Sequence, residues 1–286
     1  MKIGFIGGSG LYEMEGTSGG ESLVPETPYG KTSGEIFSVK IGEHQAFFLP
    51  RHGKGHTLLP SEVPYQANLF ALKQLGVTHV ISISAVGSLR EDVKPGEFVL
   101  PDQYIDCTRG ERARTYFGGG VVAHAHFADP TCKTTRNHVA ETLTDLGYDF
   151  HLGGTYVCIE GPQFSTRAES HLYRSWNSKE VKISVIGMTA MPEARLAREL
   201  GLCYQTVATA TDYDCWNEAH GDVSVEAILK TLRSNVKKSQ NLITHLLSKP
   251  FPPCRLPESD LIKNAVVTQR ELWPAKKQAL LETILS

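Results

Sequence analysis

Residues 79–84, His79-Val80-Ile81-Ser82-Ile83-Ser84, decide the fold. The run is apolar or small-hydroxyl throughout, without the polar alternation of a half-solvated strand, so it reads as a strand covered on both faces of a sheet. It continues into Ala85-Val86-Gly87-Ser88, small residues past which a backbone can meet a ligand. Outward from it, strand-like and helix-like runs alternate. Residues 2–6 form a strand ending in glycines, and 35–41 and 45–49 a strand pair joined by Gly42-Glu43-His44. Residues 63–75 are helical, with Ser61 as N-cap and Pro64 tolerated in the first turn. Helices follow at 131–146, 166–176, 192–200 and 225–247, interleaved with strands at 155–159, 183–188 and 204–210. Such alternation predicts a mixed or mainly parallel sheet flanked by helices.

Composition narrows the possibilities. The 286 residues carry 29 Lys and Arg against 31 Asp and Glu, a formal charge of −2. That balance argues against nucleic acid and anionic membrane surfaces as partners, since either needs clustered positive charge. No apolar run approaches the roughly 20 residues of a membrane span. The N-terminal stretch is too quickly interrupted by glycine and polar residues for a signal peptide. Six cysteines are scattered without a C-x-x-C pair; a reduced, cytoplasmic chain is the expectation. Ser248-Lys249-Pro250-Phe251-Pro252-Pro253 cannot continue a helix. The helical stretches beyond it, 258–267 and 275–284, would expose apolar positions on a lone chain. The expected organisation is therefore an α/β domain over 1–248 and a C-terminal helical arm over 249–286. Residues 110–120 read as a long irregular loop.

Candidate chemistry sits at strand ends. Gly7-Gly8-Ser9-Gly10 can turn several backbone N–H groups and the Ser9 hydroxyl toward one anion. It is not a dinucleotide fingerprint, because G-x-G-x-x-G counted from Gly8 lands on Glu13. Arg51-His52-Gly53-Lys54-Gly55-His56 follows an apolar run and places phosphate-type donors where α/β sheets bind ligands; a solvated basic turn is the plain alternative. His52 with His56, and His124 with His126, lack the H-E-x-x-H pattern of a zinc site, and a surface pair is the commoner explanation for the second. Gly187-Met188-Thr189 ends a further strand in small and polar residues. Thr211-Asp212-Tyr213-Asp214 runs a buried strand into two carboxylates at i and i+2, which point to one side on extended backbone. They suit a donor-rich ligand, a metal or acid–base work, and an Asx-turn is the bland reading.

Six stretches occur in order: 7–11 (GGSGL), 50–56 (PRHGKGH), 84–90 (SAVGSLR), 159–170 (IEGPQFSTRAES), 187–194 (GMTAMPEA) and 211–216 (TDYDCW). Together they resemble the trimeric purine nucleoside phosphorylase family, in its branch acting on 5′-methylthioadenosine. The resemblance implies a single-domain mixed, partly barrel-like sheet. It also implies phosphorolysis of that nucleoside to adenine and 5-methylthioribose-1-phosphate, with phosphate as co-substrate and no metal or organic cofactor. Matched position by position, phosphate would be held by Ser9, Arg51, His52, Thr189 and the backbone at Ser84 and Ala85. Phe164 would pack on the purine, and Met188, Val86 and Gly87 would line the nucleoside. Asp212 and Asp214 would be the catalytic, base-reading pair. Val225 and Ile228 would wall the 5′ group, and His124 and Leu272 would reach in from a neighbour in a homotrimer or dimer of trimers. Gln163 stands where many relatives carry Arg, and Val86 where some animal relatives carry Cys.

Asp212 also bears on substrate choice, because the 6-oxopurine branch of the family has Asn there. A 6-amino group is a donor and wants carboxylate acceptors, whereas a 6-oxo group would meet repulsion. The alternatives are a phosphorylase of 6-oxopurine nucleosides such as inosine or methylthioinosine, and a nucleosidase in which water replaces phosphate.

Overall fold

In the computed structural model, which describes residues 1–8, 11, 19–110, 112–217, 225–254 and 260–285 (backbone alone for 225–230, 260 and 261), the sheet is built around β5 (His79–Ser88). On one side β1 (Lys2–Gly7) runs parallel to it, and on the other β11 (Cys203–Asp212), also parallel. Residues 79–84 and nearly all of β11 are buried, as strands covered on both faces require. Beyond β1 come β4 (His44–Pro50), parallel, then β3 (Ile36–Ile41) and β2 (Glu21–Leu23), each antiparallel to its neighbour. The β3–β4 hairpin turns through Gly42 at φ 57°, a conformation glycine adopts without a Cβ penalty.

The sheet forks at β5. Its first residues pair with β1, and its last, Gly87 and Ser88, pair antiparallel with β10 (Ile183–Gly187). From there β9 (Thr155–Cys158) and β7 (Gln103–Asp106) follow in parallel. From β11 a second path leads to β6 (Phe98–Leu100) and β8 (Phe150–Leu152). The expected partly barrel-like sheet is thus mixed, forked and not closed among the described residues. β5 outruns β1, and the leftover edge takes a new strand rather than closing a ring.

Helices cover both faces. Leu69 and Phe70 of α1 (Tyr65–Gln74) and Leu196 and Ala197 of α4 (Ala190–Glu199) enter one core. Leu143 of α2 (Lys133–Asp145) and Leu242, Ile243 and Leu246 of α5 (Val225–Leu247) enter the other. Each such side chain removed from water contributes about 1.5–3 kcal/mol. A third, smaller cluster holds Tyr173 of α3 (Arg167–Ser175), which starts with a capping box between Thr166 and Glu169.

Several expectations are corrected. The first helix begins at Tyr65, capped by Pro64 with no side-chain bond, so Ser61 is not its cap. Cys132 caps α2, accepting from the Thr135 N–H. Strands β2, β6, β7 and β8 were not legible; at three or four residues they are too short to show a period, and pairing alone defines them. The arm is not uniformly exposed. Ile262 of α6 (Asp260–Lys263), Leu281 of α7 (Ala275–Leu285) and Ile284 bury into the chain's own core, while Val267 and Leu272 face outward. Nor are all cysteines free. The proline-rich turn after α5 folds the chain back over the start of β11, and Cys254 is bridged to Cys203 across 51 residues, a proximity sequence spacing does not reveal. Among the described residues, no helix is long and apolar enough to cross a membrane.

Candidate active site

A cavity of about 480 Å³ opens where β1, β4, β5, β10 and β11 end, the rim at which α/β sheets bind ligands. One wall is made of donors. Arg51, one residue past β4, is only 3% exposed. Its Nε donates to Glu193 Oε2 at 2.9 Å and its Nη1 to the Ile83 carbonyl at 3.0 Å. Its Nη2 is shared among Ser82, Glu193 and the Ile6 carbonyl. Burial works against the Arg51 charge, but the Glu193 carboxylate outweighs it and holds the guanidinium above its ordinary range. Four of the five N–H groups are therefore spoken for inside the protein, leaving one Nη1 hydrogen for a ligand. Glu193 also accepts from Ser82 Oγ and from the Tyr204 hydroxyl at 2.8 Å.

His52 follows. Its Nδ1 lies 2.9 Å from the Leu58 carbonyl, so Nδ1 carries the hydrogen and Nε2 the lone pair. Burial first, and then the Arg51 cation, push the imidazole down to about 4. The ring stacks on His56 with centroids 4.3 Å apart. Ser84 on β5 and Thr189 before α4 meet hydroxyl to hydroxyl at 3.2 Å. Ser84, Ala85 and Thr189 line the cavity, as does Gly8.

The opposite wall is acidic. Asp212 ends β11; its Oδ2 accepts from the Thr211 hydroxyl at 2.6 Å and its Oδ1 from the Asp214 N–H at 2.7 Å. This closed turn sets Asp214 at φ 52°. Burial raises both carboxyls, and the Asp212 charge raises Asp214 further. Gly87 lies against both: a Cβ there would sit 3.1 Å from Asp212 Oδ1 and 3.3 Å from the Asp214 Cβ. Between the two walls lie Val86, Phe164 and Met188. Phe164, 55% exposed, is an apolar ring held at the mouth.

The cavity thus gathers Arg51, His52, Ser84, Ala85, Thr189, Phe164, Met188, Val86, Gly87, Asp212 and Asp214. Ser9 lies outside the described residues, as do the side chains of Val225 and Ile228. His124 is exposed and Leu272 is 67% exposed, and neither borders the cavity of its own chain. His124 and His126 do share an exposed face.

Further contributors were missed from sequence. Glu193 was seen only as a helix opening; its partner Arg51 lies 142 residues away, so no local pattern marks the pair. Arg112, in the loop 110–120, pairs with Glu160 at 2.8 Å and donates to the Met188 and Met191 carbonyls, both at 2.7 Å, pinning two cavity-lining segments. Along α5 the described wall is Leu232, Asn235, Val236 and Ser239.

Hydroxyl and guanidinium donors share a cavity of nucleoside size with two buried acids, and the chain belongs to the phosphorylase superfamily, whose family model matches residues 2–248. Over 283 residues it is 48% identical to the S-methyl-5′-thioadenosine phosphorylase of Geobacter sulfurreducens, covering 99% of this chain and 97% of the relative. It is 47% identical to the protein of the same name from Thermosynechococcus vestitus, covering 100% and 98%. Among solved structures, a methylthioadenosine phosphorylase from an antarctic soil metagenomic library superposes with a TM-score of 0.90 at 42% identity, covering 99% and 98%. A variant of the adenosine/methylthioadenosine phosphorylase of Schistosoma mansoni in complex with adenine superposes at 0.85, with 32% identity and 93% and 99% coverage.

Proposed function

We propose that this chain catalyses phosphorolysis of 5′-methylthioadenosine, giving adenine and 5-methylthioribose-1-phosphate for purine and methionine salvage. The observation that carries the reading is one cavity with a buried acid pair on one wall and a preorganised set of oxyanion donors on the other. Near-full-length relatives named for this activity support it.

In the reaction the C1′–N9 bond breaks and a C1′–O bond to phosphate forms. The sugar passes through an oxocarbenium-like state, and the departing purine must not carry a full negative charge. Asp212, its carboxyl raised by burial, supplies or shares a proton with N7. Asp214 accepts from the 6-amino group. On the other wall, Ser84, Thr189, the backbone at Ala85 and the remaining Arg51 hydrogen hold the phosphate oxygens, with Ser9 as a further donor. His52 presents a lone pair, so it accepts the hydrogen of monohydrogen phosphate rather than adding positive charge. Phe164 packs on the purine, Met188 on the ribose beside Val86 and Gly87, and Val225 and Ile228 enclose the methylthio group. Phosphate is a co-substrate, and the steps call on no metal or organic cofactor.

The outward-facing Val122, Val267 and Leu272 support an arm that packs on a neighbouring subunit, bringing His124 and Leu272 to that subunit's cavity. The functional unit is then a homotrimer, single or stacked in pairs, working in the cytoplasm. Adenine release from 5′-methylthioadenosine, with and without phosphate, tests the function. Release at the same rate without phosphate would make the chain a nucleosidase, and faster cleavage of methylthioinosine would overturn the choice of base.

A further inference from the structure

The opposite ends of β5 and β11 carry a second cluster. From His79 to Ser84 the strand rises roughly 17 Å, so this cluster is remote from the cavity. His79 and Cys203 are register partners across the β5–β11 pair. The Cys203 N–H donates to the Thr78 carbonyl at 2.9 Å and the Cys132 N–H to the Tyr204 carbonyl at 2.8 Å, so three of the residues stand on one rigid frame. The fourth, Cys254, arrives from the segment after α5 and is bridged to Cys203. A His79 ring nitrogen and the sulfurs of Cys203 and Cys254 all lie within 4.8 Å of one another. Cys132 Sγ is 3.5 Å from Cys254 Sγ.

His79 shows what the cluster lacks. It is 1% exposed, with Nδ1 engaged by Thr78 Oγ1 at 2.8 Å and Nε2 buried without a hydrogen-bond partner. The nearby Pro252 carbonyl, from the segment that brings Cys254, falls short of hydrogen-bond geometry. An imidazole beside the sulfurs of Cys203 and Cys254, with Cys132 adjoining Cys254, is a ligand set that suits a Lewis acid.

We propose that, when the Cys203–Cys254 bridge is reduced, His79, Cys132, Cys203 and Cys254 form a thiophilic divalent-metal site whose expected occupant is Zn²⁺. The donor set, three sulfurs and one imidazole, matches structural zinc. Zn–S bonds of about 2.3 Å at the tetrahedral angle set two sulfurs roughly 3.8 Å apart, close to the Cys132–Cys254 separation. Thr78 holds His79 from behind, as second-shell groups hold zinc-bound imidazoles. The Thr135 N–H at the start of α2 donates to Cys132 Sγ at 3.5 Å and offsets part of the site's negative charge. The chemistry balances. Two equivalents of a small-molecule thiol reduce the bridge and leave as their own disulfide, and Zn²⁺ then displaces three thiol protons. Bridge and metal are mutually exclusive, and each ties the root of the C-terminal arm to the sheet.

The test is a titration of the full chain with Co²⁺ and then Zn²⁺, anoxic and in a phosphine reductant. One equivalent of Co²⁺ is expected to give tetrahedral d–d bands and sulfur-to-cobalt charge transfer, both erased by Zn²⁺. Thr78→Val should weaken Co²⁺ binding by about 10- to 100-fold. Cys254→Ser, in an irregular segment, should lose part of the charge-transfer intensity while adenine release shows that the protein is folded. No stoichiometric Co²⁺ binding by the reduced chain, or bands unchanged in Cys254→Ser, would overturn the proposal.

Discussion

The two walls of the cavity hold comparable chemistry on opposite terms. The donor wall contains a cation whose charge is answered inside the protein: Arg51 is paired with Glu193, and Glu193 is in turn held by Ser82 and Tyr204. On the acid wall, Asp212 receives neutral donors, the Thr211 hydroxyl and the Asp214 N–H, and burial pushes the carboxyls of both Asp212 and Asp214 up rather than down. His52 on the donor wall is pushed toward neutrality as well. On both walls burial thus disfavours the charged form of groups that border the cavity, and oriented dipoles such as the Ser84 and Thr189 hydroxyls stand beside them. Preorganised dipoles of this kind cost no reorganisation as charge develops in the transition state.

The sharpest way to break this comparison is Asp212→Asn. The variant keeps the shape but loses the proton donor, and kcat/KM for 5′-methylthioadenosine should fall by about 10²- to 10⁴-fold. Relative preference should move toward 6-oxopurine nucleosides, and steady-state kinetics on both substrates measures this. An unchanged preference would mean that the acid wall does not read the base.

Glu193→Gln strips the donor wall of its internal answer and leaves a buried, unpaired Arg51. Chemical denaturation should then show a loss of about 3–5 kcal/mol. A loss near zero would mean that the pair is solvated and the two walls are not different in kind. Thr189→Val removes one hydroxyl from an oxyanion that gains about 1.5–3 kcal/mol per such bond, so the KM for phosphate should rise by about 10- to 100-fold with little change for the nucleoside.

The smallest effect is in the pH dependence of stability, and the two walls have opposite signs. His52 is depressed from 6.5 to about 4 in the folded chain. Between those values only the unfolded chain takes the proton, so its effect lowers stability as pH falls from about 6.5 to 4. Asp212 and Asp214 are raised on folding, so the stability they contribute is fully present below the ordinary carboxylate range and is lost as pH rises through their folded values. In denaturation midpoints followed from pH 7 to 4, His52→Gln should show a shallower decline. Buried His79 and His138 carry shifts of the same sign and leave a residual slope.

How much of this was legible in sequence follows from the length scale of each feature. β5, β11 and α5 are long, buried runs whose composition and period survive without a partner. β6 and β8 do not, because three residues carry no period and only the neighbouring strand defines them. Likewise Arg51, His52, Asp212 and Asp214 stood out as local clusters at strand ends. The partner of Arg51 lies 142 residues away, and the carbonyls that Arg112 pins lie 76 and 79 residues away. The Cys203–Cys254 bridge escaped for the same reason, since it depends on how the proline-rich turn folds back rather than on spacing.

A crystal structure with adenine and phosphate bound together tests the division of labour most directly. Adenine N7 and its 6-amino group are expected within hydrogen-bond distance of Asp212 and Asp214, and phosphate oxygens on Ser84 and Thr189. A purine turned away from both carboxyls, or phosphate seated on the acid wall, would contradict it.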